Sequence, residues 1–200
     1  MDDISSFKKM VTCKEDLADE PQLGKRVMTK AFDERNFPVL HYMTEIGFEL
    51  DAEMSRTHFS DACIFDNINM AEFILDHVNP DYLDIPGNAR QISSSSSGAE
   101  LLGLLMGRLP KGPERNDLLM ELMTQSIQRW SSHKVKALIP FLENKITDTG
   151  LLNKIYIHQG KMDLTFNDMS SLVGSEEALN SIIKTERINK AWNDAPMGKP

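Results

Sequence analysis

Five histidines (His41, His58, His77, His133 and His158) and two cysteines (Cys13 and Cys63) are the side chains best suited to hold a metal or act as a nucleophile. No two histidines stand at the spacing of a zinc-binding HExxH helix, and none pairs with a cysteine at ligand spacing. His58 and Cys63 are five positions apart, about 500° around a helix, so they point in different directions and make a poor Cys–His pair. Cys63 reads instead as a small packed hydrophobe. The chain carries no P-loop, GxGxxG or GxSxG motif. Gly98, Gly103 and Gly107 fall within an apolar helical stretch rather than in a phosphate cradle. Asp33-Glu34 and Glu176-Glu177 read as carboxylates at helix starts, where the helix dipole favours them without any acid–base role. The twelve methionines, scattered at helical spacing, read as adaptable core filler. The pattern supports no catalytic residue, no cofactor and no metal site.

The charge balance narrows the partners. Against 22 basic side chains stand 30 acidic ones, for a formal net charge of -8. The densest basic pairs, Lys8-Lys9 and Lys25-Arg26, have acids within a few positions. That argues against nucleic acid, whose binding rests on basic groups displacing phosphate counterions. Two distant cysteines give no disulfide framework and fit a reducing compartment. The first residues open with acid and lack an apolar segment, unlike a secretory signal, and no apolar stretch reaches bilayer-spanning length. The expectation is a cytoplasmic protein with no membrane insertion; delivery into a host cell would leave no trace that these rules detect.

The elements that would position any functional group are helical. From Gln22 onward apolar residues recur at three- and four-residue spacing. Val27, Met28, Ala31 and Phe32 make one stripe. After Asn36-Phe37-Pro38, Val39, Leu40, Tyr42 and Met43 make a second, stopped at Gly47. The unit then recurs: Phe59, Ala62 and Cys63, a turn at Asp66-Asn67, and Met70, Ala71, Phe73, Ile74 and Leu75. Ala31 matches Ala62, Asn36 matches Asn67, Val39 matches Met70 and Met43 matches Ile74, all 31 positions apart. Asn79-Pro80-Asp81 and Pro86-Gly87-Asn88 read as loops, and residues 88–98, with their five consecutive serines, as a surface loop. Further helices are predicted after Gly98, from a cap at Asp117, after Ser131-Ser132 with an internal kink at Pro140, and from Phe166. Residues 1–21 read as a lead-in or cap, 22–192 as the repeat domain and 193–200 as a frayed tail.

Thr57 to Val78, THFSDACIFDNINMAEFILDHV, resembles the ankyrin repeat pattern TPLHxAAxxGNxEIVxxLLxHG in register and without a gap. Thr57 stands at the motif's Thr, Ala62 and Cys63 at its small pair, and Asn67 just after its turn glycine. Val39 to Gly47 looks like the second half of the preceding repeat, and Gly174 to Leu179 like part of a late one. The chain departs from the pattern at Asp66 and Val78, which replace glycines, and at Gln128-Arg129, where small residues belong. The resemblance implies an all-α, ankyrin-like solenoid of stacked antiparallel helix pairs, in which neighbours share a core that no single pair could bury.

It also implies a scaffold that binds another protein, without catalysis, on a concave surface. In the ankyrin register Ile64 and Phe65 fall at the end of the inner helix, where the family exposes side chains to its partner. Leu172 and Val173 take the corresponding place before Gly174, and Glu53 and Arg56, on the preceding loop, would form a polar rim. Cover by a neighbouring loop would make the apolar residues core instead. Two other readings stand beside this one. An enzyme on a helical scaffold would draw on residues such as His58, Asp61 or His158. An assembly or regulatory subunit, a pathogen effector acting in a host cell among them, would fold fully only with its partner.

Overall fold

In the computed structural model the three- and four-residue apolar spacing folds as helix throughout. The structure describes residues 4–13, 21–143, 145–147, 151–152 and 164–174. Helices are α1 (Ile4–Met10), α2 (Pro21–Asp33), α3 (Phe37–Glu45), α4 (Ala52–Ile64), α5 (Ile68–His77), α6 (Ile85–Ser94), α7 (Ala99–Arg108), α8 (Pro113–Gln128), α9 (Ser132–Leu138) and α10 (Phe166–Leu172). The described residues form no strand, only an isolated parallel bridge between Ile146 and Val173. The protein is all-α, and no helix among the described residues is long and apolar enough to cross a membrane. The chain divides into two compact units, Met1–Asn88 and Ala89–Pro200.

One turn geometry recurs along the chain. Arg35, Asp66 and Trp130 hold positive φ of 54°, 54° and 57°. In each case the next backbone N–H reaches back to the carbonyl five residues earlier: Asn36 to Ala31 at 2.8 Å, Asn67 to Ala62 at 2.8 Å and Ser131 to Ser126 at 2.9 Å. This is the Schellman closure, in which one left-handed residue lets the chain turn back and satisfy the helix's orphan carbonyls. The following residue opens the next helix. Asn36 Oδ1 accepts from Val39 N and Asn67 Oδ1 from Met70 N, so two asparagines end one helix and cap another. Asp66, standing where the ankyrin pattern has glycine, thus takes the backbone conformation that glycine would supply.

Within the first unit, α2 lies against α4 and α3 against α5. Lys25 Nζ meets Asp51 Oδ2 at 3.2 Å, and the Phe32 and His58 rings stack with centroids 4.5 Å apart. His41 meets the edges of Phe73 and His77 at 5.0 and 5.9 Å. Asp51 caps α4, accepting from Glu53 N and Met54 N. The Met54 amide, then Lys25, hold its carboxyl below the usual range. Gly24 is required by packing, since a Cβ there would come within 2.2 Å of the Phe48 ring. Met28, Leu40, Met43, Phe59 and Ile74 are fully buried between the helices. Residues 4–10, within the segment expected as a lead-in or cap, form α1. It is tied to α3 by an edge-to-face Phe7–Tyr42 contact and by Tyr42 Oη donating to Val11 O at 2.6 Å.

In the second unit α6 lies against α8 through the Arg90–Glu121 ion pair at 3.0 Å and a Ser93–Gln125 hydrogen bond. α7 faces α9 and the 3-10 turn Ile139–Phe141 at Gly103 and Gly107, where a Cβ would sit 3.7 Å from Ala137 O or the Phe141 ring, an ordinary van der Waals distance, so packing does not demand glycine at either position. Leu101, Leu105, Met106, Leu119, Met123, Ile127, Val135 and Leu138 form its core.

Several expected loops and caps are corrected here. Pro86-Gly87-Asn88 is the first turn of α6, not a loop. Proline is preset for a helix's first turn, and Gly87 N donates to Asp84 Oδ1 at 2.9 Å. The serine-rich segment 88–98 is accordingly helical to Ser94, with only residues 95–98 forming the turn into α7. α8 starts at Pro113, leaving Asp117 inside it, and Pro140 lies in the 3-10 turn after α9 rather than kinking that helix. The segments expected as a helix after Gly174 and as a tail from 193 lie outside the described residues.

What ends α6 is a buried cation. Lys134 is 1% exposed, and its Nζ donates to the carbonyls of Ile92, Ser93 and Ser95, the last at 2.7 Å. An ammonium at a helix C-terminus both satisfies orphan carbonyls and opposes the negative end of the dipole. Lys134→Met takes the ammonium from all three carbonyls, of which Ile92 O keeps its bonds from Ser95, and an expected loss of about 2–3 kcal/mol is read as a lower urea midpoint at unchanged slope. At the turns, Asp66→Val is expected to lower the melting temperature through a left-handed penalty of about 1–2 kcal/mol, whereas Asp66→Gly keeps or raises it.

Candidate functional site

The end of α4 leaves two large apolar side chains in solvent. Ile64 is 50% exposed and Phe65, the helix C-cap, 69%. Phe65 immediately precedes Asp66, the left-handed pivot that sends the chain into α5. Beside Phe65, between the C-terminal turns of α2 and α4, runs a cleft of about 180 Å³. Phe32, Arg35, His58, Asp61 and Met70 share its lining with Phe65. The stacked Phe32 and His58 rings, 11° from parallel, give it a flat aromatic wall. Arg35 reaches it from the left-handed turn position, as Asp33 does from the last residue of α2. Asp33 was expected at a helix start; it closes one instead, where the dipole does not favour a carboxylate.

Electrostatically the cleft is mixed. Burial pushes the His58 imidazole below its ordinary value of 6.5, while Asp33 and Asp61 pull the other way. His58 and Asp61 meet because residues three apart on a helix are neighbours. The nearest thiol, Cys63, is buried, and desolvation raises it to about 12, so it is not a nucleophile at neutral pH. No group of three metal-capable side chains occurs among the described residues. The arrangement offers a ring face, an exposed phenyl, an imidazole, one guanidinium and two carboxylates, a set suited to holding an amphipathic segment.

The six residues singled out from sequence do not form one surface. Ile64 and Phe65 are both exposed, and Phe65 lines the cleft. Glu53 and Arg56 lie on α4 itself, not on a preceding loop, and Glu53 is separated from Ile64 by about 16 Å of helix rise. Arg56 Nε donates to Tyr82 O at 3.3 Å, away from any rim of the cleft. Leu172 and Val173 belong to the second unit and are core, 0% and 3% exposed. They are covered because Ile146 N donates to Leu172 O at 2.8 Å and Gly174 N to Ile146 O at 3.2 Å, laying residues 145–147 alongside them. Of the residues offered for an enzyme, His58 and Asp61 share the cleft and His158 lies outside the described residues. Phe32, Asp33 and Arg35 were missed. The signal that finds them is the same 31-residue offset, which places Arg35 opposite Asp66.

Comparison with protein-family models, with curated proteins and with solved structures finds no match to this chain.

The lowered His58 value fixes the sign of a pH effect. The folded state favours the neutral ring more than the unfolded chain does. That stability is fully present above 6.5 and is lost as pH falls through the lower folded value. Denaturant titrations stepped downward from pH 7 are expected to show this decline in the wild type. It should be smaller in His58→Phe, which keeps the stack on Phe32 but cannot titrate.

Proposed function

We propose that this chain is a non-enzymatic, ankyrin-like interaction module whose first unit holds a segment of a partner protein in the cleft beside Phe65. One observation carries this reading: Phe65 stands in solvent on the lining of a cleft with an aromatic wall, and the adjacent Ile64 is a second large apolar side chain left exposed. Exposing them costs hydrophobic free energy that a partner recovers, and well-packed aromatics at a cleft are the usual anchors of protein interfaces.

The ankyrin-like reading draws support from the repeated helix–turn–helix geometry. The in-register turns at Arg35 and Asp66, with asparagine caps following both, are what a degenerate repeat would retain. Side-by-side packing of α2 on α4 and α3 on α5 suits a solenoid of antiparallel pairs, each sharing its apolar face with the next. The net charge of -8 favours a protein over nucleic acid, and the expected site of action is the cytoplasm. The enzyme alternative rests on His58 and Asp61 sharing the cleft. Helical geometry alone places them there, and the Cys63 thiol is held protonated.

Truncating Phe65 removes about 2 kcal/mol of burial, an expected loss of about thirtyfold in partner affinity. Affinity capture followed by titration of the captured protein is the measurement, comparing wild type, Phe65→Ala, Ile64→Asp and a distant control, Glu72→Ala. Far-UV circular dichroism should match across all four. Unchanged capture by Phe65→Ala and Ile64→Asp would sink the reading, and so would their unfolding, since it would make these residues core.

A further inference from the structure

The turn that ends α6 and the turn that ends α8 face each other across a second cleft, wholly within the second unit, bounded by residues 94–96 and 129–133. Its volume is about 630 Å³, within the range of pockets that accept small organic ligands. Its chemistry differs from that of the cleft beside Phe65. In a chain with more acidic than basic side chains, no bounding residue among the described residues is acidic. The walls present serine hydroxyls from both turns, the Arg129 guanidinium, the His133 imidazole and the Trp130 indole, 45% exposed.

A recess with a guanidinium and several hydroxyls, and without a carboxylate, is complementary to a compact oxyanion. The planar Arg fork donates two parallel hydrogen bonds to phosphate, hydroxyls donate to the remaining oxygens, and no like charge opposes entry. An aromatic face beside them adds contact area for whatever carries the phosphate. The walls are also fixed before any ligand arrives, which limits the ordering cost of binding. Lys134 Nζ holds the Ile92, Ser93 and Ser95 carbonyls beneath one wall, and Ser95 Oγ lies 2.8 Å from Ile92 O. The other wall is pinned by the Ser131 N–H on Ser126 O.

We infer that this cleft is a binding site for a phosphate monoester, with Arg129 as its principal charge partner and Trp130 as its flat wall. The phosphate could belong to a modified side chain of a partner protein or to a small molecule such as a mononucleotide, and the experiment separates the two sources.

The full chain carrying Trp192→Phe leaves Trp130 as the sole indole. Its fluorescence is titrated with O-phosphoserine, with a phosphoseryl peptide of neutral flanks and with adenosine monophosphate; serine and the unphosphorylated peptide serve as controls. A saturable change is expected for phosphorylated ligands alone. Arg129→Ala should weaken it about tenfold or more, Arg129→Lys should fall between, and the exposed control Lys111→Ala should leave it unchanged. Tighter binding of the peptide than of the nucleotide assigns the site to a protein partner, and the reverse order to a small molecule. The proposal is overturned if no phosphorylated ligand gives saturation at millimolar concentration, if the unphosphorylated controls bind equally, or if a folded Arg129→Ala binds as wild type does. Because Arg129 is exposed and caps α8 through backbone atoms alone, folding of the variants is checked by circular dichroism.

Discussion

A helix of nine to sixteen residues leaves its last carbonyls without partners, and at four turns among the described residues, one of them at Gly47, a single left-handed residue resolves that need. Arg35, Asp66 and Trp130 each reverse the backbone so that the next N–H returns to the helix just ended. The same residue pair sets where the following helix begins, so the register of each helix pair is decided at its turn rather than along its length. Side-chain packing then follows. Once α3 begins at Phe37 and α5 at Ile68, His41 and Phe73 are brought edge to face, as Phe32 and His58 are stacked from α2 and α4. The end of α6 solves the problem differently, with the Lys134 ammonium added to a backbone bond from Ser95 N to Ile92 O.

Much of this was legible in the sequence, because helical periodicity and capping are local. The stripes from Val27 to Leu75, the 31-residue offset, the stop at Gly47 and the turns at Asn36 and Asn67 are all decided by residues within a few positions of one another. What misled were residues with two local meanings. Pro86-Gly87 punctuates a loop in most contexts, yet the same proline is preset for a first helical turn, and Asp84 supplied the missing cap. The five serines favour turns, yet Ser93 is buried with a partner at Gln125. The site was half legible for a related reason. Exposure of Ile64 and Phe65 follows from their place at a helix end, a local property. Burial of Leu172 and Val173 follows from residues 145–147, a long-range pairing that no periodicity announces.

The two clefts occupy comparable places, each formed where the ends of two first helices of a pair come side by side, yet they differ in chemistry. The first is walled by rings and carries both signs of charge; the second is lined by serines and carries no acid among the described residues that bound it. Turns that share a backbone geometry need not share a surface, since the residues at the helix ends are set by exposure and not by the core.

That difference traces to the left-handed residues themselves. In a repeat that keeps glycine at this position, the apex of the turn is bare backbone. Here the apex carries a guanidinium, a carboxylate or an indole, and two of these three, Arg35 and Trp130, stand in a cleft. The modest conformational cost of abandoning glycine converts a position that only bends the chain into one that can be read. Such an apex can change its identity without disturbing the apolar stripes behind it. Divergence at a handful of hinge residues would therefore be enough to change the surface of both clefts while the helices stay as they are.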